Sequence, residues 1–408
     1  MERASECPYR LTDPEIEHFA QNFDHHDPAF GQDPYPVLRR MQSRSPIVWS
    51  NNYGGFWVVT GFDEAHQIYR DYETFATAPS VSVPPGFGHN RPMLPLEVDP
   101  PIHGKYRKPL APLFSPLSIA QLEDRVRVAC SRLIDRFIDR NECEFVSELA
   151  RPLPTEIFVS LLGVPGDEVG DFEEWNFQIL HGQHDDPTGM TRDSAGAAAR
   201  GRLESLLSQR KSEGAHGDDI VSILVRSEID GRPFTDEEII DITFLFFLAG
   251  LDTVQGEMAC QFAFLARNPS HRDLLVEDPM LIPSAIEELL RWEGLTVIGR
   301  NVTKAVEVGG ALMKAGDKVV IASRAVNRDP RMFDNPDDVD FARSDTRHLT
   351  FAVGPHRCIG SHLARLELKV VYEEMHRRIP NYRLRDGFTV TYRTGNVAGV
   401  ESLPLEWH

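Results

Sequence analysis

Cysteine is scarce in this chain. Five residues, Cys7, Cys130, Cys143, Cys260 and Cys358, are spread over 408 positions with no CxxC pair. That pattern excludes a disulfide framework and a cysteine-rich zinc site, and it fits a reducing, cytoplasmic compartment. Basic charge is in deficit: 43 Lys and Arg stand against 62 Asp and Glu, a formal net charge of -19. Such a molecule is a poor partner for nucleic acid or anionic membrane, although a local basic patch is compatible with it. Long hydrophobic runs are missing. The most apolar stretch, 244–249, falls far short of the ~20 residues that a membrane span needs. Residues 1–8 are polar and carry no signal-like segment. No internal repeat or low-complexity tract stands out. The expectation is a soluble, cytoplasmic monomer with neither nucleic-acid nor membrane partners.

What is present is apolar material for a large core, 41% of the residues. Residues 1–30 read as a polar surface arm. A short helix is expected at 34–41, and a hairpin at 46–49 and 56–60 across Asn51-Asn52-Tyr53-Gly54-Gly55. Helical spacing at 62–69 is followed by a Pro/Gly-rich loop at 78–101. A loop of that length points to function, and its apolar members (Val81, Val83, Phe87, Met93, Leu94, Leu96) point to packing. A short helix after Asp99-Pro-Pro puts His103 and Arg107 on one face. Amphipathic helix is expected at 116–138, with further helical patterns up to 162, at 172–180 and at 194–212. The stretch 178–186, with His181, His184, Asp185 and Asp186, reads as a solvated loop rather than a metal site.

The longest helix runs over 235–268. A capping box, Thr235 to Glu238, starts it and Asn268-Pro269 stops it, giving a length of roughly 50 Å. Its first half is apolar nearly all round, so it is a buried central helix. Helices at 270–277 and 283–292 follow, then strands at 305–308, 311–313 and 318–322, a helix at 361–379 and a β-rich tail from 388. The fold class is mainly α in a single domain. Its helical region lies mainly at 76–300, and a smaller β-containing region is built from 30–75 and 300–408.

Two stretches carry chemistry. Phe351-Ala352-Val353-Gly354-Pro355-His356-Arg357-Cys358-Ile359-Gly360 places a thiol in a tight loop, after two basic residues and at a helix N-terminus. Both neighbours stabilise thiolate. Alone, the loop is a thiolate site of unspecified use, with an inert buried thiol as the alternative. Ala249-Gly250-Leu251-Asp252-Thr253 sets a glycine, a carboxylate and a hydroxyl inside the apolar run of the central helix, which costs stability unless they serve something.

These stretches, with Glu288-Leu-Leu-Arg291 between them and Phe341-Ala-Arg343 before the cysteine loop, occur in the order that resembles a cytochrome P450. The resemblance covers nearly the whole chain and is closest to the camphor-hydroxylase branch of soluble bacterial enzymes. It implies the fold of that family and a bound haem b (iron protoporphyrin IX) with Cys358 as its axial iron ligand. The thiolate would donate electron density to iron, and N–H groups of Ile359 and Gly360 would tune the sulfur. His103, Arg107, Arg300 and His356 would hold the propionates; where the camphor branch has an acidic residue two before Arg300, this chain has Ile298. Thr253 and Asp252 would deliver protons, with a carboxylate linked to solvent behind a hydroxyl. Back-bonding of Thr253 within the helix is the alternative. Gly250 would let dioxygen approach the helix backbone. Glu288, Arg291 and Arg343 would form a buried structural charge cluster.

For the substrate pocket the resemblance points to Phe87, Met93 and Leu96 from the long loop, with Leu245, Leu248, Ala249, Thr296, Val297 and Val397. Arg91 is the nearest counterpart of the branch's ketone-binding tyrosine, so camphor itself is not expected. Ala352 stands where the family usually has glycine. The implied activity is a monooxygenase that inserts one oxygen atom from O2 into a small hydrophobic, terpenoid-like substrate. Electrons would come from NAD(P)H through a ferredoxin reductase and a ferredoxin, docked on Lys105, Arg107, Lys108 and Arg357. A haem-binding sensor or carrier without oxygenase activity is the alternative. Peroxide-driven chemistry would need a carboxylate close to the haem, and the sequence offers no strong candidate.

Overall fold

The computed structural model describes residues 11–86, 91–182 and 190–408. Its axis is the central helix, Asp236–Arg267. At the N-terminus Thr235 Oγ1 accepts from the Glu238 N–H (3.2 Å) and Glu238 Oε2 accepts from the Thr235 N–H (2.8 Å), the reciprocal cap expected from the sequence. At the far end the Asn268 N–H and Nδ2 both donate to the Phe264 carbonyl, and Pro269 opens the next helix. The 32 residues span ~48 Å. Helices Pro152–Leu162, Val169–His181, Met190–Ser212, Ile282–Glu293 and Ser361–Arg378 pack around it. By length and composition it is the one described helix apolar enough to cross a membrane, but 83% of its most apolar window is buried inside the fold. Its hydrophobicity is that of a core element surrounded by other helices.

Beside this helical body lies a five-stranded sheet in the order Ile47–Ser50, Phe56–Val59, Lys318–Ala322, Val297–Val302, Phe75–Ala76. The first two strands form the expected hairpin, with Ile47 opposite Val59. Strand Lys318–Ala322 runs parallel to the second and antiparallel to Val297–Val302, placing Val319 opposite Trp57 and Arg300. The strand Val297–Val302 escapes sequence reading because Gly299, Arg300 and Asn301 interrupt its β-branched residues. Gly299 is required there: its N–H donates to the Val81 carbonyl at 2.7 Å, and a Cβ would sit 2.7 Å from that same oxygen. Asn301 Nδ2 reaches the carbonyls of Ala76, Thr77 and Ser80, so one strand anchors the start of the long loop.

Several expectations need correction. Residues 11–30 are no surface arm. They form helices Asp13–Gln21 and Pro28–Gln32, and Phe19, Phe23 and Phe30 are buried with Val37, Phe56 and Val58 in a core of their own. Three aromatics among polar residues outweigh the composition, since each buries a large apolar area. Within the mainly helical stretch 76–300, Glu142–Glu144 pairs with Pro404–Glu406, and Glu228–Ile229 pairs with Arg232–Pro233. The helix expected at 116–138 is two, Pro116–Ala120 and Glu123–Asp135, parted where the Leu122 N–H bonds back only three residues to Ile119.

Candidate active site

Between the central helix, the sheet and the cysteine loop lies a cavity with about 1370 Å3 of space free of protein atoms, part of it open to solvent. Cys358 is accessible, and what it faces is this cavity. Its loop is rigid by construction. The Cys358 N–H donates to the Phe351 carbonyl at 2.9 Å, and Gly354 adopts φ +77° where a Cβ would lie 2.8 Å from the Tyr69 carbonyl oxygen. Arg107 donates to the carbonyls of Arg357 (2.5 Å) and Pro355 (3.5 Å). Gly360 caps the helix Ser361–Arg378. Burial pushes the Cys358 thiol pKa up, and the Gly360 N–H, Arg107, Arg357 and Arg365 oppose that rise. Ala352 holds φ +51°, a left-handed conformation that suits the usual glycine better.

On one side of the cavity His103, Arg107, Arg300 and His356 converge. The rings of His103 and His356 stand 4.2 Å apart. His356 Nε2 lies 3.3 Å from Asp99 Oδ1, while its Nδ1 has no hydrogen-bond partner. Arg300 is 2% exposed; it donates to the Gly299 carbonyl and stacks over the Tyr69 ring at 5.2 Å. Among the described residues no carboxylate forms an ion pair with it. A buried guanidinium with only a carbonyl and a ring as partners calls for an anion. A macrocycle that carries edge carboxylates and a metal taking a soft sulfur donor would fit this donor set. Asp99, which sequence reasoning passed over, also accepts from the N–H groups of Thr77 and Ala78 and from the Thr77 hydroxyl. One carboxylate thus ties both ends of the long loop to the cysteine loop.

The central helix contributes a stripe to the opposite wall: Leu245, Phe246, Ala249, Thr253, Val254 and Glu257. Thr253 Oγ1 donates to the Ala249 carbonyl at 3.0 Å, the back-bonded arrangement, yet the residue remains in the cavity lining. Gly250 is not in the lining. A Cβ there would come within 2.5 Å of the Phe158 ring, so this glycine admits helix Pro152–Leu162, and Ala249 takes the position facing the cavity. Asp252 also turns away. It is 2% exposed, with Oδ1 3.0 Å from Arg393 Nη2 and 3.1 Å from His181 Nε2, and Oδ2 unpartnered. Burial alone would raise its pKa; the charges of His181 and Arg393 overcome that and hold it well below the carboxylate range. The expected carboxylate open to solvent is therefore a buried, ion-paired one. His181 closes helix Val169–His181 at 6% exposure instead of lying in a solvated loop. Among the described residues no cluster of three or more His, Cys, Asp or Glu is arranged to hold a metal ion.

Of the expected pocket residues, Leu96, Leu245, Ala249 and Thr296 line the cavity. Met93 and Leu248 are packed into the core, and Val297 faces a smaller neighbouring cavity bordered by Phe23, Arg324 and Arg393. Alternation along the strand explains this: Ile298 and Arg300 face the large cavity, and Val297 does not. Val397 bridges Thr296 through the backbone and is absent from the lining. Phe87 and His184 lie outside the described residues. Arg91, the counterpart by spacing of a ketone-binding residue, pairs with Asp241 (2.9 Å) and Glu237 (3.2 Å) instead. The lining also holds Pro95, Phe246, Leu295 and Glu257, which spacing alone did not single out.

Glu288, Arg291 and Arg343 do meet. Arg291 donates to both carboxylate oxygens of Glu288 at 2.8 Å, and Arg343 Nε lies 3.0 and 3.1 Å from the same oxygens. Arg291 also donates to the carbonyls of Asn327, Pro336 and Asp338.

Comparison with known proteins agrees with this architecture. Residues 192–379 match the family model described as Cytochrome P450. A "Probable cytochrome P450 127A1" of Sinorhizobium fredii is 34% identical over 386 residues, covering 93% of this chain and 91% of that protein. A "Steroid C26-monooxygenase" of Mycobacterium tuberculosis is 32% identical over 379 residues, covering 90% and 92%. The crystal structure of cytochrome P450 CYP101C1 superposes with a TM-score of 0.85 at 30% identity over 95% of this chain and 97% of that one. That of CYP101J2 gives 0.83 at 29% identity over 95% and 96%. Similarity of this extent runs along almost the entire length of these relatives: the chain belongs to the cytochrome P450 family, whose members are haem-binding monooxygenases.

Proposed function

We propose that this chain inserts one atom of dioxygen into a compact, largely apolar substrate bound between the central helix, strand Val297–Val302 and the Pro95–Leu96 turn. The observation that carries the reading is the cavity that Cys358 and Thr253 share, with four cationic or ionisable side chains on one side of it. Haem supplies the oxygen-activating redox centre there. Cys358 would hold its iron through the sulfur, which the Gly360 N–H attends, and Arg107, Arg300, His103 and His356 would hold its carboxylates. Leu245, Phe246, Ala249, Leu295 and Ile298 give an apolar chamber that excludes water and favours a hydrocarbon skeleton. Thr253 presents a hydroxyl oxygen to that chamber, able to accept a hydrogen bond while its own proton stays on the Ala249 carbonyl. Asp252, locked by Arg393 and His181, steadies the helix turn that carries Thr253 rather than opening to solvent.

The lining and the relative named for steroid C26 oxidation together favour a polycyclic terpenoid or steroid-like substrate. Electrons reach the site from a ferredoxin. Its docking surface is narrower than four residues, since Lys105 pairs with Asp230 and Arg107 turns inward; Lys108 and Arg357 remain exposed. The test is a panel of terpenoids and steroids added to the purified holoprotein. The expected result is a ligand-induced Soret shift, a strongly red-shifted Soret band for the reduced CO complex, and product containing one oxygen atom from labelled O2. An unshifted CO complex refutes Cys358 ligation, and product without O2-derived label refutes the monooxygenase reading of the site.

A further inference from the structure

Glu257 is a buried acid that the reading above does not use. It lies one helical turn beyond Thr253 on the same face of the central helix, is 8% exposed, and borders the cavity. The surroundings are mostly apolar: Val254, Leu290, Leu295 and Leu368 share the lining. Among the described residues it forms no ion pair. Its Oε2 accepts from Gln261 Nε2 at 3.1 Å, and Gln261 Oε1 accepts from the Tyr372 hydroxyl at 2.8 Å. The charged and titratable groups facing it are few. Glu293, at the end of helix Ile282–Glu293, is fully buried and repels it; Arg324, from the turn after strand Lys318–Ala322, attracts it. Tyr372 and Cys260 are neighbours kept protonated chiefly by their own burial, to which its charge adds. Across the cavity stand Cys358 and the four side chains of the propionate site.

We propose that Glu257 is a proton-binding site of the cavity wall that takes up one proton from solvent when the haem iron takes up one electron from its donor protein. The inference rests on the reading that this cavity holds haem. Burial, then repulsion by Glu293, pushes the carboxyl pKa up to about 8. An acid poised there, in a low-dielectric wall and lacking a cation of its own, responds to any change of charge in the cavity. Reduction removes one positive charge from the iron, so the carboxylate becomes less favourable and its pKa rises. The balance is one electron from a one-electron carrier, one proton from water, and the neutral carboxylic acid. Below the pKa of the oxidised state the acid is protonated in both redox states; above that of the reduced state it is ionised in both. Between the two, the reduction potential falls as pH rises, with a limiting slope of about 59 mV per tenfold change in proton concentration. Glu367, the other buried acid raised to about 8, lies on helix Ser361–Arg378 outside the cavity lining and is not expected to carry the coupling.

The test is spectroelectrochemical titration of the holoprotein between about pH 6 and pH 10, compared with Glu257→Gln. The parent is expected to show a sloping window near pH 8 that Glu257→Gln flattens. A parent potential independent of pH, or a slope that survives in the variant, overturns the proposal. A second measurement needs no variant: the reduced-minus-oxidised infrared difference spectrum of the parent should gain a protonated-carboxyl band at pH 8 to 9. Its absence also overturns the proposal. Neither readout depends on turnover, and the Soret position of the CO complex reports separately whether the haem–thiolate reading itself fails.

Discussion

Arg291 is the residue whose removal the structure makes most damaging outside the cavity. It is fully buried, neutralises Glu288, and satisfies three backbone carbonyls in the segment 327–338 that precedes the cysteine loop. Arg291→Leu strands a buried carboxylate, though Arg343 and the Asp340 N–H still attend it. Breaking a buried ion pair in this way costs about 3–5 kcal/mol. With ~2.1 cal/mol/K of unfolding entropy per residue, a 408-residue chain has about 0.9 kcal/mol/K, so the broken pair alone should lower the melting temperature by roughly 3–6 °C, and the three carbonyls that lose their donor should lower it further. The informative comparison is the double variant Glu288→Leu/Arg291→Leu. If the pair were self-contained, replacing both members by apolar residues would restore most of the loss. Here it should not, because the three carbonyls stay buried without a donor, at about 1–3 kcal/mol each. Scanning calorimetry of the parent, the single variant and the double variant decides. Recovery of the double variant to within about 1 °C of the parent refutes the view that Arg291 frames the backbone before the cysteine loop.

Other expectations follow from single contacts. Gly250→Ala gains ~1 kcal/mol of helix propensity but drives a methyl to 2.5 Å from the Phe158 ring, an overpacking cost of ~1–3 kcal/mol; the melting temperature should not rise, and a clear increase refutes the close approach. Ala352→Gly relieves a left-handed alanine worth ~1–2 kcal/mol against ~0.5–1 kcal/mol of added chain entropy, so a rise of up to about 2 °C is expected and a fall contradicts the φ of +51°. Thr253→Ala removes a hydroxyl whose proton is spent within the helix, so stability should change by less than about 0.5 kcal/mol. Product formed per NADH consumed should drop toward the ~10²-fold that a positioned proton-transfer group contributes, and undiminished coupling removes Thr253 from the mechanism. Lowering the pH should release Asp252: its folded pKa is depressed, so its contribution is fully present above the unfolded value of 3.8 and is lost as pH falls below it. Asp252→Asn should flatten that part of the acid-stability profile, and an unchanged profile contradicts the His181–Asp252–Arg393 arrangement.

The chain's linear order carried a large share of this molecule. The capping box at Thr235, the stop at Asn268-Pro269, the hairpin either side of Asn51–Gly55 and the cysteine loop are local features, set by backbone geometry within a few residues, and each appears where the sequence places it. The shared face of His103 and Arg107 was legible too, since they lie four apart on one short helix and both reach the cavity. What tertiary structure alone decided is orientation across elements. Gly250 and Ala249 are neighbours in sequence, and only the approach of Phe158 determines which one faces the cavity. Asp252 acquires its state from Arg393, 141 positions away, and from His181 on another helix. Val297 and Ile298 part company because a strand alternates, and that strand was hidden by its glycine, arginine and asparagine. Glu257 reads in sequence as one more polar residue of a long helix; it becomes a raised cavity acid only because folding buries it and sets Glu293 near it, an effect that Arg324 only partly offsets. Local geometry is written in nearest neighbours, whereas burial and charge environment come from residues that the chain brings together only on folding.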